Sequence, residues 1–359
     1  MPMTNHIHGG DILTARQQFD GEILDFSANI NPLGMPKEVY EAVAKAIANA
    51  VHYPDPLCRE LAQGIAERDG VKPEQIICGN GAADLIFRLV FALRPKEAMV
   101  TAPSFAEYEQ ALDAGGCKVH RHLLLRENKF ALTEAIIDSL SPELDMLFLC
   151  NPNNPTGSQI EADLLKRILD RCGELNILLV LDECFLELSD NGNTSGMATM
   201  LNAYSNLLIL RAFTKSYAVP GLRLGYCLSS NSELITKLAR AGQPWSVSSP
   251  AQAAGLAALR CPEHPAVARE LIRTEREYLK REFEALHLTV FPSTANYLLF
   301  CTEGIGNLKE RLISRGILIR SCANYAGLDK NYYRIAVRQH SENKRLIEAM
   351  RKEFTDYED

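Results

Sequence analysis

Short apolar runs alternate with helical patterns over the first two thirds of the chain. Residues 37–50, 82–93 and 160–173 have helical patterns, with apolar residues recurring on one face. The apolar runs predict strands at 76–78, 98–101, 145–150, 176–182, 206–211 and 223–228. Continuous apolar strands separated by helices are typical of a mostly parallel sheet with both faces covered. We therefore predict an α/β fold for this part of the chain.

After Trp245 the pattern changes to a long, charged, amphipathic helix at 264–286. Shorter elements follow it, with strands predicted at 288–291, 296–301, 317–320 and 332–337 and helices at 306–315 and 340–355. This order predicts a smaller α+β domain. The first 40 residues contain no complete βαβ unit, so we assign them to the smaller domain. The predicted division is a large domain at 41–246 and a small domain made of 1–40 and 247–359.

Composition narrows the class of protein. The chain has 359 residues, of which 47% are hydrophobic and 23% charged, as in a globular protein with a sizeable core. The net charge of -7 and the lack of a basic patch argue against nucleic-acid binding. No uncharged apolar stretch reaches the ~20 residues of a membrane span, and the start of the chain lacks the apolar region of a signal peptide. The ten cysteines lack metal-site spacing, so we expect core thiols in a reducing cytoplasm and no metal.

Candidate chemistry begins at Lys215, which follows an apolar strand and lies eight positions before Arg223. A lone lysine at a strand end is usually solvated, but its spacing to Arg223 is more specific. A lysine amine forms a Schiff base with an aldehyde. Thr214 and Arg223 are suited to hold a phosphate through charge-assisted hydrogen bonds.

Two further polar residues follow predicted buried strands. Asp182 ends a very apolar run, where it is either a turn cap or the partner of a cofactor's pyridinium nitrogen. Asn154 lies in the segment Cys150–Gly157, which is a plain turn or part of a ligand site at the carboxyl edge of the sheet. In the second case Asn154 donates to a cofactor phenolate oxygen and contacts a substrate carboxylate.

The loop Gly79–Ala82 joins a predicted strand to a predicted helix, and a helix N-terminus of this kind favours phosphate. As a glycine motif it is weak by itself. Phe105 is suited to stack on a flat ring, although a lone aromatic residue is more often part of the core.

Taken in order, these segments resemble the fold type I pyridoxal-phosphate (PLP) enzymes, the aspartate aminotransferase-like superfamily. The resemblance implies PLP as cofactor, with Lys215 as its attachment point and Asp182 as the partner of its ring nitrogen. It also implies that Phe105 stacks on the ring. The residues it implies around the cofactor phosphate are Gly81, Ala82, Thr214 and Arg223.

Within this superfamily the chain is similar to the histidinol-phosphate aminotransferases. Several segments, however, resemble the threonine-phosphate decarboxylases of cobalamin biosynthesis, and this resemblance runs from His8 to the final helix. The segments are His8–Gly10, Asp25–Gly34, Tyr53–Asp55, Phe213–Lys215, Ile317–Tyr325 and Tyr332–Arg338. The resemblance implies decarboxylation of L-threonine O-3-phosphate. Phe185 departs from the aminotransferase pattern, which commonly has a tyrosine at this position, and we expect a higher imine pKa without that tyrosine's hydroxyl.

The same resemblance implies a substrate site and a homodimer in which Tyr53 reaches the cofactor phosphate of the neighbouring subunit. The substrate residues it implies are His8, Gly9, Asn29, Asn154, Arg320 and Arg334. Other interpretations remain: His6 and His8 as a tail or a weak metal pair, and the two arginines as surface ion-pair residues. Arginine suits both a carboxylate and a phosphate.

Three alternatives stay open at this point. A histidinol-phosphate-type aminotransferase would share every cofactor contact. A PLP-sensing regulator would need a DNA-binding domain, for which there is no room before His8. L-serine O-phosphate differs from the threonine compound by one methyl group, which a pocket distinguishes by only ~1–3 kcal/mol.

Overall fold

A seven-stranded sheet forms the centre of the protein in a computed structural model that describes residues 8–304 and 306–355. Its strands are β2 (Ile76–Gly79), β3 (Glu97–Ala102), β4 (Lys118–Leu123), β5 (Met146–Cys150), β6 (Leu178–Asp182), β7 (Leu207–Ala212) and β8 (Gly225–Leu228). They lie in the order β2-β8-β7-β6-β5-β3-β4, and β8 runs antiparallel to both of its neighbours. The pairs from β7 to β4 are parallel. This sheet confirms the predicted α/β architecture.

Helices connect the strands and surround the sheet. They are α1 (Ile12–Arg16), α2 (Lys37–Ile47), α3 (Arg59–Asp69), α4 (Gly81–Leu93), α5 (Ala106–Ala114), α6 (Ala135–Ser139), α7 (Ala162–Glu174), α8 (Phe213–Ser216), α9 (Ser232–Ala241), α10 (Ser249–Ala258), α11 (Glu263–Ala285), α12 (Leu308–Ile313) and α13 (His340–Thr355). Helix α7 illustrates the packing, because Leu164, Leu165, Ile168 and Leu169 are buried while the intervening polar residues remain exposed.

A second, four-stranded sheet contains β9 (Thr289–Val290), β10 (Tyr297–Cys301), β12 (Arg320–Ser321) and β13 (Tyr332–Ala336). Its strands are antiparallel, in the order β12-β13-β10-β9. Strand β1 (Leu24–Asp25) pairs in parallel with β11 (Ile317–Leu318). The start of the chain therefore pairs with its C-terminal part, which is what the assignment of residues 1–40 to the small domain requires. The domain boundaries themselves stay a prediction.

The sequence pattern predicted most strands of the central sheet and was wrong or silent at two others. All five residues of β5 are buried, as the continuous apolar run indicates. Strand β4 was not predicted because it lies at the sheet edge and has no buried residue: Lys118, Arg121 and Leu123 are exposed and the other three residues are half-buried. The single strand predicted at 317–320 is wrong, because the chain changes partner at Ile319: β11 pairs with β1, and β12 pairs with β13.

The ten cysteines are free thiols, and all but the half-buried Cys184 are buried. Within residues 8–304 and 306–355, no helix combines the length and the apolar character that a bilayer span requires. Over the same residues, no group of His, Cys, Asp and Glu side chains is arranged to hold a metal ion.

A buried network of charges supports the sheet edge next to Lys215. Arg211, at the end of β7, donates to the Glu183 carboxylate at 2.7 and 2.9 Å and lies 3.2 Å from Asp69. The Tyr226 hydroxyl donates to Asp69 at 2.8 Å. Burial alone would raise the pKa of Asp69, but Arg68 and Arg211 hold it below its ordinary value. The network thus ties α3 to the ends of β6 and β7.

We expect Arg211→Met to destabilise the protein by about 3–5 kcal/mol, because it leaves Glu183 buried and uncompensated and deprives Asp69 of one of its cations. The free energy of unfolding in urea measures this effect. Arg167→Met, which removes an exposed partner of Glu134 on the surface, is the matched control and should leave the unfolding curve unchanged. Equal losses in both variants would contradict the role of the buried network.

Candidate active site

A cavity of about 260 Å³ opens at the carboxyl ends of β5, β6 and β7. In the sheet register Cys150 lies beside Asp182, and Asp182 lies beside Leu210, so the segments that follow these strands converge at one edge. This is where open α/β sheets bind ligands. Eleven of the residues predicted from the sequence line the cavity: His8, Gly9, Asn29, Ala82, Phe105, Asn154, Asp182, Thr214, Lys215, Arg223 and Arg334.

Lys215 lies in the short helix α8 and is partly accessible from the cavity. Burial lowers the pKa of its amine to about 8, and the positive charge of Arg334 acts in the same direction. The Nζ atom is 5.7 Å from the centre of the Phe185 ring. An amine that is partly unprotonated near neutral pH is a competent nucleophile, so Lys215 differs from a solvated lysine at a strand end.

Asp182 is almost fully buried at the end of β6, and both of its carboxylate oxygens accept hydrogen bonds. The Tyr108 hydroxyl donates to Oδ2 at 2.6 Å, and the Cys184 backbone N–H donates to Oδ1 at 2.9 Å. Burial, followed by the charge of Asp182, raises the pKa of Tyr108 well above its ordinary value, so Tyr108 remains a donor. Asp182 is therefore fixed in orientation while it lines the cavity.

A cradle for phosphate forms where α4 begins. Ala82 and Ala83 of its first turn line the cavity together with Thr214 and Arg223. Gly81 has a φ of +81°, and a Cβ atom there would lie only 2.7 Å from Nη2 of Arg223. Glycine at this position therefore lets the guanidinium approach the helix N-terminus, an arrangement that attracts phosphate.

The four-stranded sheet contributes Arg334 to the cavity wall, from a buried position in β13. Its guanidinium donates to the side-chain oxygen of Asn154 and, at 2.7 Å, to the backbone oxygen of Ser27. Because the amide oxygen of Asn154 is taken by this contact, its amide nitrogen is the donor that it can offer to a ligand.

His8 and Gly9 of the N-terminal segment form part of the cavity wall. A Cβ atom at Gly9 would lie 2.1 Å from the Ser27 carbonyl oxygen, so a residue with a side chain does not fit there. The Gly10 backbone N–H donates to the Ser27 hydroxyl at 2.7 Å. These contacts hold His8 at the cavity wall. His6 lies outside the described residues.

Three predicted residues do not line this cavity. Gly81 lies directly behind it, against Arg223. Arg320 faces Arg334 across the β12–β13 pair and lines a smaller adjoining cavity of about 40 Å³, which it shares with His8. Tyr53 is 79% exposed and stacks on Trp245, with ring centres 4.4 Å apart. The roles implied for these residues stay predictions.

Sequence reasoning missed several side chains that line or support the cavity. Tyr108 lies three positions after Phe105, and this spacing on a helix is the only signal that pointed to it. Glu107 resembles an ordinary acidic residue in the first turn of a helix. In the structure, burial raises the pKa of the Glu107 carboxyl to about 7. Tyr325 belongs to the segment Ile317–Tyr325 but was not singled out.

The cavity residues fit PLP. They provide an amine, a buried carboxylate for a ring nitrogen, a phosphate cradle, and Phe105 on the cavity wall. Asn29 Oδ1, Glu107 Oε2 and Arg334 Nε are buried and lack a hydrogen-bond partner among the described residues. Buried polar atoms are rarely left in this state, so these three indicate a site built to receive a polar ligand.

Comparison with known proteins agrees with this geometry. The family profile for aminotransferase class I and II matches residues 21–350. The chain is 41% identical to a threonine-phosphate decarboxylase of Salmonella typhimurium, over 99% of this chain and 98% of that protein.

Two solved structures are also similar. One is a histidinol-phosphate aminotransferase from Clostridium acetobutylicum, with 30% identity and a TM-score of 0.87 over 93% of this chain and 100% of that one. The other is an L-threonine-O-3-phosphate decarboxylase from Porphyromonas gingivalis, with 25% identity and a TM-score of 0.77 over 91% and 98%. The chain therefore belongs to the class I and II aminotransferase family and is a PLP enzyme.

Proposed function

We propose that the chain decarboxylates L-threonine O-3-phosphate and releases CO2 and (R)-1-aminopropan-2-ol O-phosphate. The amine phosphate is the precursor of the aminopropanol linker of cobalamin. The observation that carries the proposal is a second cationic end of the site. Arg334 and His8 line the cavity apart from the Thr214–Arg223 cradle, and Arg320 lies behind them. A substrate with both a carboxylate and a phosphate needs such a second set of partners. Whole-length similarity to a decarboxylase supports the same assignment.

Arg334 and Arg320 are the proposed anchors for the two anionic groups, and the assignment of one arginine to each anion stays open. Arg334 is held by Ser27 and Asn154, so its guanidinium has a fixed position. Arg320 donates to Asn324 at 2.6 Å and lies over the Tyr325 ring at 5.4 Å. Fixed guanidinium groups orient the bond between Cα and the carboxylate, and that orientation selects which bond breaks.

In the proposed reaction PLP, when bound, supplies an electron sink for the pair left behind by departing CO2. Asp182, held by Tyr108 and Cys184, keeps a proton on the ring nitrogen. The Lys215 amine returns a proton to Cα, a role suited to a pKa of about 8. Asn154 would donate to the phenolate oxygen of the cofactor, and Phe185 would contribute no hydroxyl there.

Two alternatives differ in substrate and not in cofactor. A histidinol-phosphate-type aminotransferase is favoured by the similarity to the Clostridium acetobutylicum structure. L-serine O-phosphate is the alternative substrate for the proposed decarboxylase, because a single methyl group separates the two phosphates.

A homodimer in the cytoplasm completes the proposal. Exposed apolar side chains concentrate in and just after α2, and they include Tyr40, Ile47, Val51, Tyr53 and Leu57. A patch of this kind marks a protein interface. In the proposed dimer Tyr53 extends towards the cofactor phosphate of the partner. The free thiols suit a reducing compartment.

Incubation of the holoenzyme with L-threonine O-3-phosphate should release CO2 and aminopropanol phosphate in equal amounts, measured by trapping the gas and by mass spectrometry of the amine. L-serine O-phosphate, assayed in parallel, ranks the two substrates by kcat/KM. Formation of glutamate from 2-oxoglutarate and histidinol phosphate, without CO2 from the amino-acid phosphates, would establish the aminotransferase instead.

Phe185→Tyr should lower the pH midpoint of the holoenzyme's visible absorbance titration by roughly one unit, because the added hydroxyl stabilises the phenolate anion. Phe185→Leu, which removes the ring without adding a donor, is the matched control and should not lower the midpoint. A midpoint that is the same in wild type and Phe185→Tyr would refute the proposed place of Phe185.

Tyr53 can be tested by mixing two inactive or weakened proteins, Lys215→Ala and Tyr53→Ala. If Tyr53 serves the neighbouring site, a mixed dimer contains one complete site, and about a quarter of the wild-type activity returns after subunit exchange. Tyr53 acting within its own chain predicts no recovery above the Tyr53→Ala protein alone.

A further inference from the structure

Glu107 is a cavity carboxyl group that the proposed reaction does not use. It is the second residue of α5, and its side chain is 13% exposed. Oε1 lies 3.4 Å from Nε2 of His8, whereas Oε2 is buried and has no hydrogen-bond partner among the described residues. Its neighbour Glu109 is different, because both oxygens of that residue accept from Arg121 on the surface. Glu107 is therefore not part of an ordinary structural ion-pair network.

The charges around Glu107 come from several elements. Asp182 at the end of β6 is a like charge, while Lys215 of α8 and Arg223 are opposite charges, and His8 contacts it from the N-terminal segment. Burial is the largest influence and raises the pKa of Glu107 to about 7, and Asp182 acts in the same direction. Glu107 consequently gains its negative charge as the pH rises through neutrality.

This range matters for His8. An imidazole has an ordinary pKa of ~6.5, so without a partner it loses its positive charge at about the same pH. A carboxylate at ion-pair distance favours the imidazolium form. As the pH rises, Glu107 becomes charged in the range in which an imidazole without such a partner becomes neutral. The 3.4 Å contact also restrains the imidazole ring through Nε2.

We propose that Glu107 is a positioning residue that keeps His8 oriented and positively charged for binding the substrate's phosphate. The inference rests on the proposed function, because it assigns the phosphate end of that substrate to His8. Glu107 acts through His8 and does not touch the reacting atoms. The pair makes the site selective for phosphorylated amines, since a ligand without phosphate presents no anion to the imidazolium.

The test is equilibrium binding to the holoenzyme of O-phosphoethanolamine, which has an amine and a phosphate but no carboxylate to lose. Above neutral pH we expect Glu107→Gln to bind this probe roughly three- to tenfold more weakly, because a neutral amide cannot hold the proton on His8. The loss should shrink below the ordinary pKa of histidine, where the imidazole is charged without help. Glu109→Gln is the matched control on the same helix and should bind like wild type.

A second background separates positioning from a structural effect. In a His8→Asn protein, Glu107→Gln should no longer weaken binding, because the residue through which it acts is absent. Binding of L-threonine, which lacks phosphate, should be the same in wild type and Glu107→Gln. Equal losses with and without His8, a loss that does not vary with pH, or an unchanged affinity in Glu107→Gln would each overturn the inference.

Wild-type enzyme that binds O-phosphoethanolamine no more tightly than L-threonine would also overturn it. Failure of the proposed function has a different signature, namely wild-type enzyme that releases no CO2 from L-threonine O-3-phosphate. The binding experiment does not depend on that release, so the two failures are distinguishable.

Discussion

Charged groups at the carboxyl ends of apolar strands are the constraint on which the rest of this structure depends. Asp182 ends strand β6 and Glu183 follows it, both are buried, and a buried carboxylate is costly unless it is paired or hydrogen-bonded. The structure meets this constraint in two ways. Glu183 accepts hydrogen bonds from Arg211 in an ion pair, whereas Asp182 accepts hydrogen bonds from the Tyr108 hydroxyl and from a backbone N–H. The first carboxylate belongs to a buried ion-pair network, and the second is fixed in orientation by hydrogen bonds while it lines the cavity.

The cofactor half of the site could be read from the sequence because its signals are local. A buried strand followed by a polar residue fixes Lys215, Asp182 and Asn154 at one sheet edge, and Gly81 has a backbone conformation that few other residues adopt. The parts that could not be read depend on distant partners. The segment at 317–320 gives no sign that it changes strand partner at Ile319. Glu107 becomes unusual only because folding buries it beside Asp182 and His8.

The residues proposed to bind the substrate come together differently. His8 and Gly9 come from the start of the chain, and Arg320 and Arg334 come from the four-stranded sheet. Residues so far apart in sequence leave no spacing signal, so resemblance to relatives indicated them where local physics did not. The cofactor residues are common to enzymes with different reactions, whereas this second group is the one through which the proposed decarboxylase differs from a transaminating relative.

Arg334 joins three remote parts of the chain, since one guanidinium contacts both Ser27 and Asn154. During synthesis the N-terminal residues leave the ribosome first and Arg334 leaves almost last. The residues of the phosphate cradle, from Gly81 to Arg223, are therefore available to fold before Arg334 has been synthesised. Ser27, which positions the segment of His8 and Gly9, can contact Arg334 only after strand β13 has been synthesised, more than three hundred residues later. The residues proposed for the cofactor are thus synthesised before Arg334, which is proposed for the substrate.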